Sequence, residues 1–540
     1  MTTEKSTTMG LDEEKQASES RQPSIETSVT ANGIETPEIG DENANRDEEK
    51  AGMEEEKSVE YPKGLEMFFI MLALVLSITL CSLDQTIVAT AVPKITDQFG
   101  RLQDISWYGS AYFLTLGAFQ SLWGKIYKFF PLKTSFLVSI FIFELGSLIS
   151  AVARNSTTVI VGRAIAGLGA SGVAPGVYTI PAFIAAPEKR ATYTGFIGCF
   201  YINLPIGGLA ILVILFTFKT PAGVKVVDAT LKEKLLQMDF IGTALVMGAS
   251  LSLLLALQYG GVTHAWNSSV VIGLLVGFVL MIIALISVEL WLGERAMLTP
   301  RLICQRTVWV NAVWSFFFAG SYFITLYYLP IYFQSIDNQS PIGSGVRNIP
   351  LIALFSVATF ASGKAITKTG TAAPYLVVSS IIVTIASGLL YTLDIGTSTG
   401  KWVGYQILAG FGYGVGLQVP VVISQAFAAP SDMAPVTSII IFSRTIGGTF
   451  LITAAQSGFI NQIIHKLSST APTVDPALVT ETGATTLRQN FADTELNGIL
   501  HAYAWGIKVA FAIAIAACGI TAITSLFTKW TNIHHKKQSL

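Results

Sequence analysis

Charged side chains are scarce in this chain: 34 basic and 35 acidic residues make up 13% of 540, while 51% are hydrophobic and the mean hydropathy is +0.56. That balance excludes a soluble protein of this size and implies a polytopic membrane protein. Cysteine is rare too. Cys81, Cys199, Cys304 and Cys518 fall in or beside apolar stretches without any short metal-ligand spacing, so packing is the simple reading. All five histidines, His264, His465, His501, His534 and His535, read as loop or tail, which leaves a membrane enzyme no polar cluster in the spans. A phosphate-cradling Gly-x-x-x-x-Gly-Lys-Ser/Thr loop is completed neither at Gly363-Lys364-Ala365 nor at Gly400-Lys401-Trp402, so ATP-driven transport is disfavoured. No cofactor, metal or nucleic-acid partner is expected. No secretory signal precedes the first apolar run, and that run is expected to stay as an anchor.

Residues 1–60 are acidic, rich in Glu, Ser, Thr, Lys and Asn, and poor in aromatic and branched side chains, the composition of a disordered cytoplasmic tail. Beyond it, a span needs about 20 mainly apolar residues. About thirteen such runs follow, near 65–91, 105–123, 134–153, 158–182, 193–217, 239–258, 269–290, 308–333, 349–366, 374–392, 402–427, 436–458 and 504–527. They divide into an amino-terminal bundle at 61–218, a cytoplasmic loop with two linker spans at 219–307, and a carboxyl-terminal bundle at 308–458. A polar extracellular loop at 459–503, then a last span and tail at 504–540, complete the chain.

Lysine and arginine collect on cytoplasmic loops. Lys125, Lys128 and Lys133 therefore place the loop after the second run inside, and Lys189 and Arg190 the loop after the fourth. One crossing later the chain should be outside, yet Lys219, Lys225, Lys232 and Lys234 ask for the inside again. An even number of crossings is implied where about 25 apolar residues suffice for one. Three sequons, at Asn155, Asn267 and Asn338, fall in loops that this parity makes external, although Asn155 sits close to the bilayer for an acceptor.

Asp84, in Leu83-Asp84-Gln85-Thr86-Ile87-Val88, is a carboxylate inside an apolar run, where a charge costs roughly 2.5–3.5 kcal/mol on insertion scales and usually faces a partner or a polar cavity. Arg163 is its expected partner. Asp84 lies two turns before the end of an outward run and Arg163 one to two turns after the start of an inward one, so depth lets them meet. A static ion pair and a proton-responsive pair remain alternatives. Trp314, Phe318 and Tyr322 recur at four-residue spacing in a ring-rich run, either a face that stacks on a flat apolar ligand or lipid-facing rings. Gln418 and Arg444 add polar groups for orienting a cargo, although Arg444 can also pair locally.

Taken together, residues 62–530 resemble the fourteen-span fungal drug:proton antiporters of the major facilitator superfamily. LDQTIVATAVPKI resembles the first-span motif, and GKIYKFFPLKTSFL resembles the loop between spans two and three, with Gly124, Lys128 and Lys133 in place and Tyr127 where the pattern often has Asp. FELGSLISAVARNS and GRAIAGLGASG place Glu144, Arg163, Gly167 and Gly169, while CFYINLPIGG, DFIGT, GFGYGVGLQVP and SRTIGGTF match later stretches. Between Gly198 and Cys199, however, the fifth span of that group is missing, the crossing that the lysines require.

The resemblance implies an all-α fold of two pseudo-symmetric helical bundles in a plasma or vacuolar membrane. It also implies proton-coupled export of apolar metabolites or drugs by alternating access, with protons, cargo and membrane lipid as partners and no ATP. Asp84, then Glu144, would carry the proton, with Arg163 modulating it. Gly124, Gly167, Gly169, Gly412 and Gly416, and Pro205 in the fifth run, are expected in helix packing and motion. Lys128 and Lys133 would steady one state or simply orient the loop. An importer or uniporter on the same fold, and a non-transporting receptor or truncated product, are the rival readings.

Overall fold

The computed structural model describes residues 67–78, 80, 81, 84, 105–184, 230–481, 487–530 and 532. The amino-terminal tail, the fifth apolar run with Pro205, and the Gly198-Cys199 junction lie outside the described residues. Helices dominate: α1 (Met67–Ile78), α2 (Ile105–Phe129), α3 (Leu132–Ala151), α4 (Ser156–Ile184), α5 (Phe240–Tyr259) and α6 (Ser269–Leu292) are followed by α7 (Arg306–Ser335). Then come α8 (Ile349–Thr369), α9 (Ala373–Tyr391), α10 (Thr399–Gly416), α11 (Val419–Phe427), α12 (Met433–Thr470) and α13 (Asp493–Ser525). Among the described residues, ten helices are long and apolar enough to cross a membrane. Helix α2 has the length, at 25 residues, but serines, tyrosines, glycines and Gln120 dilute its apolar residues.

Packing sorts these helices into two sets and a linker. Helices α2, α3 and α4 pack on one another, and α7 to α10, α12 and α13 form the second set. The α2–α12 seam joins them, and the α5–α6 pair lies against its flank. Helix α6 buries only Val271, Leu285 and Glu289, while Val276, Val279, Leu280, Ile283 and Ile286 are exposed. An apolar helix exposed along most of its surface is lipid-facing.

Glycines permit the close crossings. A Cβ at Gly124 would meet Ser438 across the seam, at Gly167 the Tyr112 carbonyl, at Gly169 the backbone of Phe143, at Gly412 Ile382 and Val383, and at Gly416 Ser379. The expected packing positions are thus points where a second helix leaves no room for a methyl group.

Two boundaries differ from expectation. The polar stretch at 459–503 is largely helical, because α12 continues to Thr470 and α13 begins at Asp493, with short turns Pro476–Glu481 and Leu487–Asn490 between them. His465 and His501 therefore sit on helices rather than in a loop. Backbone bonding continues past an apolar run wherever no Pro or Gly stops it, so the apolar pattern marks a bilayer depth and not a helix end.

Candidate functional site

Arg163 Nη1 donates to Asp84 Oδ2, the expected pairing. The Arg163 side chain is 3% exposed and that of Asp84 20%. Gly167, one turn along α4, brings the backbone of α2 close enough for the Tyr112 ring to lie 4.4 Å from the guanidinium. Thr115 Oγ1 donates to the Ala164 carbonyl at 2.8 Å and fixes the same crossing. The cation is thus held by a carboxylate and an aromatic face. Glu144 lies half-buried on α3.

The end of α2, the linker and the start of α12 carry a second network that the sequence pattern only half revealed. Lys128 Nζ is 3.3 Å from Asp432 Oδ1, and Arg301 Nη1 and Nη2 are 3.0 Å and 3.1 Å from Oδ2 and Oδ1 of the same carboxylate. Arg301 also binds Glu294 Oε1 at 2.6 Å, and the buried Lys125 donates to the Glu294 carbonyl at 2.6 Å. Asp432 was missed in the sequence; an acid in the Pro430–Asp432 turn that opens α12 was its only local signal. One carboxylate therefore ties the first half, the linker and the second half together. Tyr127, where the loop pattern often has Asp, is buried and donates to the Gly172 carbonyl at 2.8 Å, so it serves packing. Lys133 is half-buried at the start of α3.

Between the two ends, the halves touch through Tyr178 on α4. Gln418 Nε2 donates to its hydroxyl at 3.1 Å, and Gln425 Nε2 donates to its carbonyl at 3.2 Å and to Thr437 Oγ1 at 2.9 Å. Gln418 was expected near a cargo; Tyr178 and Gln425 were not foreseen. Arg444, on α12, is half-buried, and its Nη1 is buried without a hydrogen-bond partner among the described residues.

The expected aromatic face divides. Trp314 and Phe318 are fully buried and stacked at 4.0 Å, with Trp314 Nε1 donating to Ser380 Oγ at 2.9 Å. They belong to the interior of the second set, neither on lipid nor on an open surface. Tyr322 is half-buried, stacked on Phe355 at 5.3 Å and edge-on to Tyr413 at 5.3 Å. Tyr413 in turn meets Phe318 at 5.4 Å, so the two buried rings support Tyr322 from behind.

All three sequon asparagines are exposed. Asn155 lines a depression of about 460 Å³ with Ser156, Thr157, Thr158 and Val161, and its Oδ1 accepts from Thr158 N at 2.8 Å and Thr158 Oγ1 at 2.9 Å. Asn338 takes a left-handed backbone with φ 53°. Cys81 and Cys518 are buried and Cys304 is exposed. Among the described residues, no group of three or more His, Cys, Asp or Glu could hold a metal.

Apolar helices in two sets, joined by the Lys128–Asp432–Arg301 charges and by the glutamine hydrogen bonds to Tyr178, define a multi-pass membrane transport protein. The chain belongs to the major facilitator superfamily: the profile described as Major Facilitator Superfamily matches residues 74–218. The MFS-type transporter grgE of Penicillium sp is 50% identical over 500 residues, covering 88% of each chain. The probable efflux pump gsfJ of Penicillium aethiopicum is 46% identical over 495 residues, covering 88% of this chain and 89% of its own. Among solved structures, the human organic anion transporter MFSD10 (TETRAN) superposes with TM-score 0.54 at 14% identity, over 86% of this chain and 100% of its own. The proton:xylose symporter XylE gives 0.51 at 12%, over 87% and 98%. These two share the fold.

Proposed function

We propose that the chain exports apolar small molecules across the plasma membrane in exchange for protons, by alternating access of its two helical sets. The observation that carries this reading is the Asp84–Arg163 pair, whose cation is almost wholly enclosed. Protonating Asp84 leaves Arg163 charged in apolar surroundings, so proton uptake and separation of the pair favour each other. Glu144, on the neighbouring α3, is the second proton site. Tyr322, Gln418 and Arg444 contact the cargo, with Trp314 and Phe318 as backing. The Lys128–Asp432–Arg301 group holds the inner side closed while the outer side opens. The printed name "efflux pump" of a relative supports the outward direction.

We infer further that one span is missing at Gly198-Cys199. The lysines after it require another crossing. The alignment with the Penicillium transporter also runs over 500 residues while drawing on 88% of the 540 here, a shortfall of about one helix. The test of the whole reading is Asp84→Asn in proteoliposomes, with and without that helix restored. Proton-gradient-driven efflux of an apolar dye is expected to vanish in the variant while membrane insertion persists. Unchanged efflux removes Asp84 from the mechanism.

A further inference from the structure

Three helices converge on a polar point that neither charged network uses. On α2, Gly117 and Gly124 face α12, where an added Cβ would meet Ile446 and Ser438. Trp123 and Tyr127 face α4, donating to the Leu168 carbonyl at 3.3 Å and the Gly172 carbonyl at 2.8 Å. Successive helical residues turn by about 100°, so Gln120 stands between these two faces, in the wedge where α2, α4 and α12 meet. It lies two turns above Lys128, about 12 Å along the axis.

Gln120 is 0% exposed, and neither its Oε1 nor its Nε2 has a hydrogen-bond partner among the described residues. Across the same seam, Ser438 Oγ is also buried and has no hydrogen-bond partner among the described residues. Buried polar atoms without partners destabilise a fold, and such atoms are few in native proteins. Gln120 and, against Gly124 one turn along α2, Ser438 are two such side chains at the junction of the two sets, and they point to something that binds there.

We propose that Gln120, with Ser438, forms a subsite that holds an uncharged hydroxyl group of the cargo. A carboxamide presents a donor and an acceptor side by side, matching a hydroxyl, which is both; the serine does the same. Neither carries a charge to compensate an ion. The subsite rests on the transport reading above and adds a selectivity to it: among equally apolar cargoes, the hydroxylated one is held better.

The test uses 1-pyrenemethanol and 1-methylpyrene, probes that differ by one hydroxyl, titrated into the purified full chain and read by energy transfer from tryptophan. A neutral hydrogen bond makes the wild-type preference for the alcohol about 2- to 10-fold. Gln120→Leu is expected to abolish that preference while keeping the affinity for 1-methylpyrene. It should also leave the melting temperature unchanged or raised, since an apolar group of similar volume strands no polar atom. Gln120→Asn retains part of the preference. The proposal is overturned if the wild type shows no preference, if Gln120→Leu keeps it, or if Gln120→Leu lowers the melting temperature by several degrees, the mark of a structural bond. Gradient-driven flux of the same probes in vesicles separates the two claims. Preference lost in the variant without any wild-type flux keeps the subsite and removes the transport reading.

Discussion

Replacing Asp432 by Asn keeps the side chain's shape and removes the charge that two cations share. The carboxylate is 8% exposed, 3.3 Å from Lys128 and 3.0 Å from Arg301, whose side chains are 19% and 50% exposed. A hydrogen bond to a charged group contributes about 1.5–3 kcal/mol when shielded, an exposed pair about 0–1. Lys128 is only partly shielded and Arg301 is screened by water, so the two together contribute about 1–2 kcal/mol to this contact between the sets. On the proposed alternating-access cycle, removing them is expected to shift the equilibrium toward inside-open about 5- to 30-fold. Cysteine labelling measures this shift. Ser438→Cys places a thiol at a site that is 1% exposed, six residues and roughly 9 Å along α12 from Asp432. Cys199 and the exposed Cys304 are changed to Ser, while the buried Cys81 and Cys518 stay. A membrane-impermeant maleimide applied from the cytoplasmic side should label this thiol about 5 to 30 times faster once Asp432→Asn is added. Salt should accelerate the Asp432 parent more than the variant, and Lys128→Met should add little on top, because both changes break one pair. An unchanged labelling rate would refute the reasoning, leaving the inner charges as orientation signals only.

Gly167→Leu drives a side chain into the Tyr112 carbonyl and Thr115 hydroxyl of α2, so a loss of about 1–3 kcal/mol or more is expected, read as a lower melting temperature in detergent. Wild-type stability at that site would show that α2 and α4 do not cross there. Trp314→Ala empties a buried, stacked and hydrogen-bonded site and should cost about 3–5 kcal/mol of stability, whereas a ring serving only the cargo would leave the melting temperature in place. At Asp394, in the loop between α9 and α10, burial raises the carboxyl pKa, but the Lys508 ammonium at 2.6 Å and the Ile395 amide at 2.8 Å outweigh it and hold it below the ordinary range. A depressed folded-state value contributes stability above the unfolded value and loses it as pH falls through the folded one. Thermal melts of the wild type should therefore drop below about pH 4 more than those of Lys508→Met. The effect is small, because the Asp394 side chain is half-exposed, and equal drops would remove the pair from the pH response.

The sequence by itself determined the membrane class, the position of most apolar helices, the resemblance to fungal antiporters and the Asp84–Arg163 pairing. Each of these depends on quantities that local composition carries: run length, charge sign, and distance from a span's end. Glycine positions were legible only in part: Gly124, Gly167, Gly169, Gly412 and Gly416 meet a second helix, whereas Gly273, Gly388 and Gly519, in equally apolar runs, have open space around them. Tertiary structure alone decided which partner each group meets. Lys128 pairs with Asp432, 304 positions away, and Lys125 turns from an apparent loop marker into a buried donor to the linker. Trp314 and Phe318 share a helical face with Tyr322, yet helices α9 and α10 close over the first two rings and leave the third half-buried. Gln120 is one amide among many in the chain, and only the convergence of α2, α4 and α12 buries it without a partner. Helical periodicity assigns a direction to each side chain; what stands in that direction depends on how separate helices pack, which no local pattern encodes.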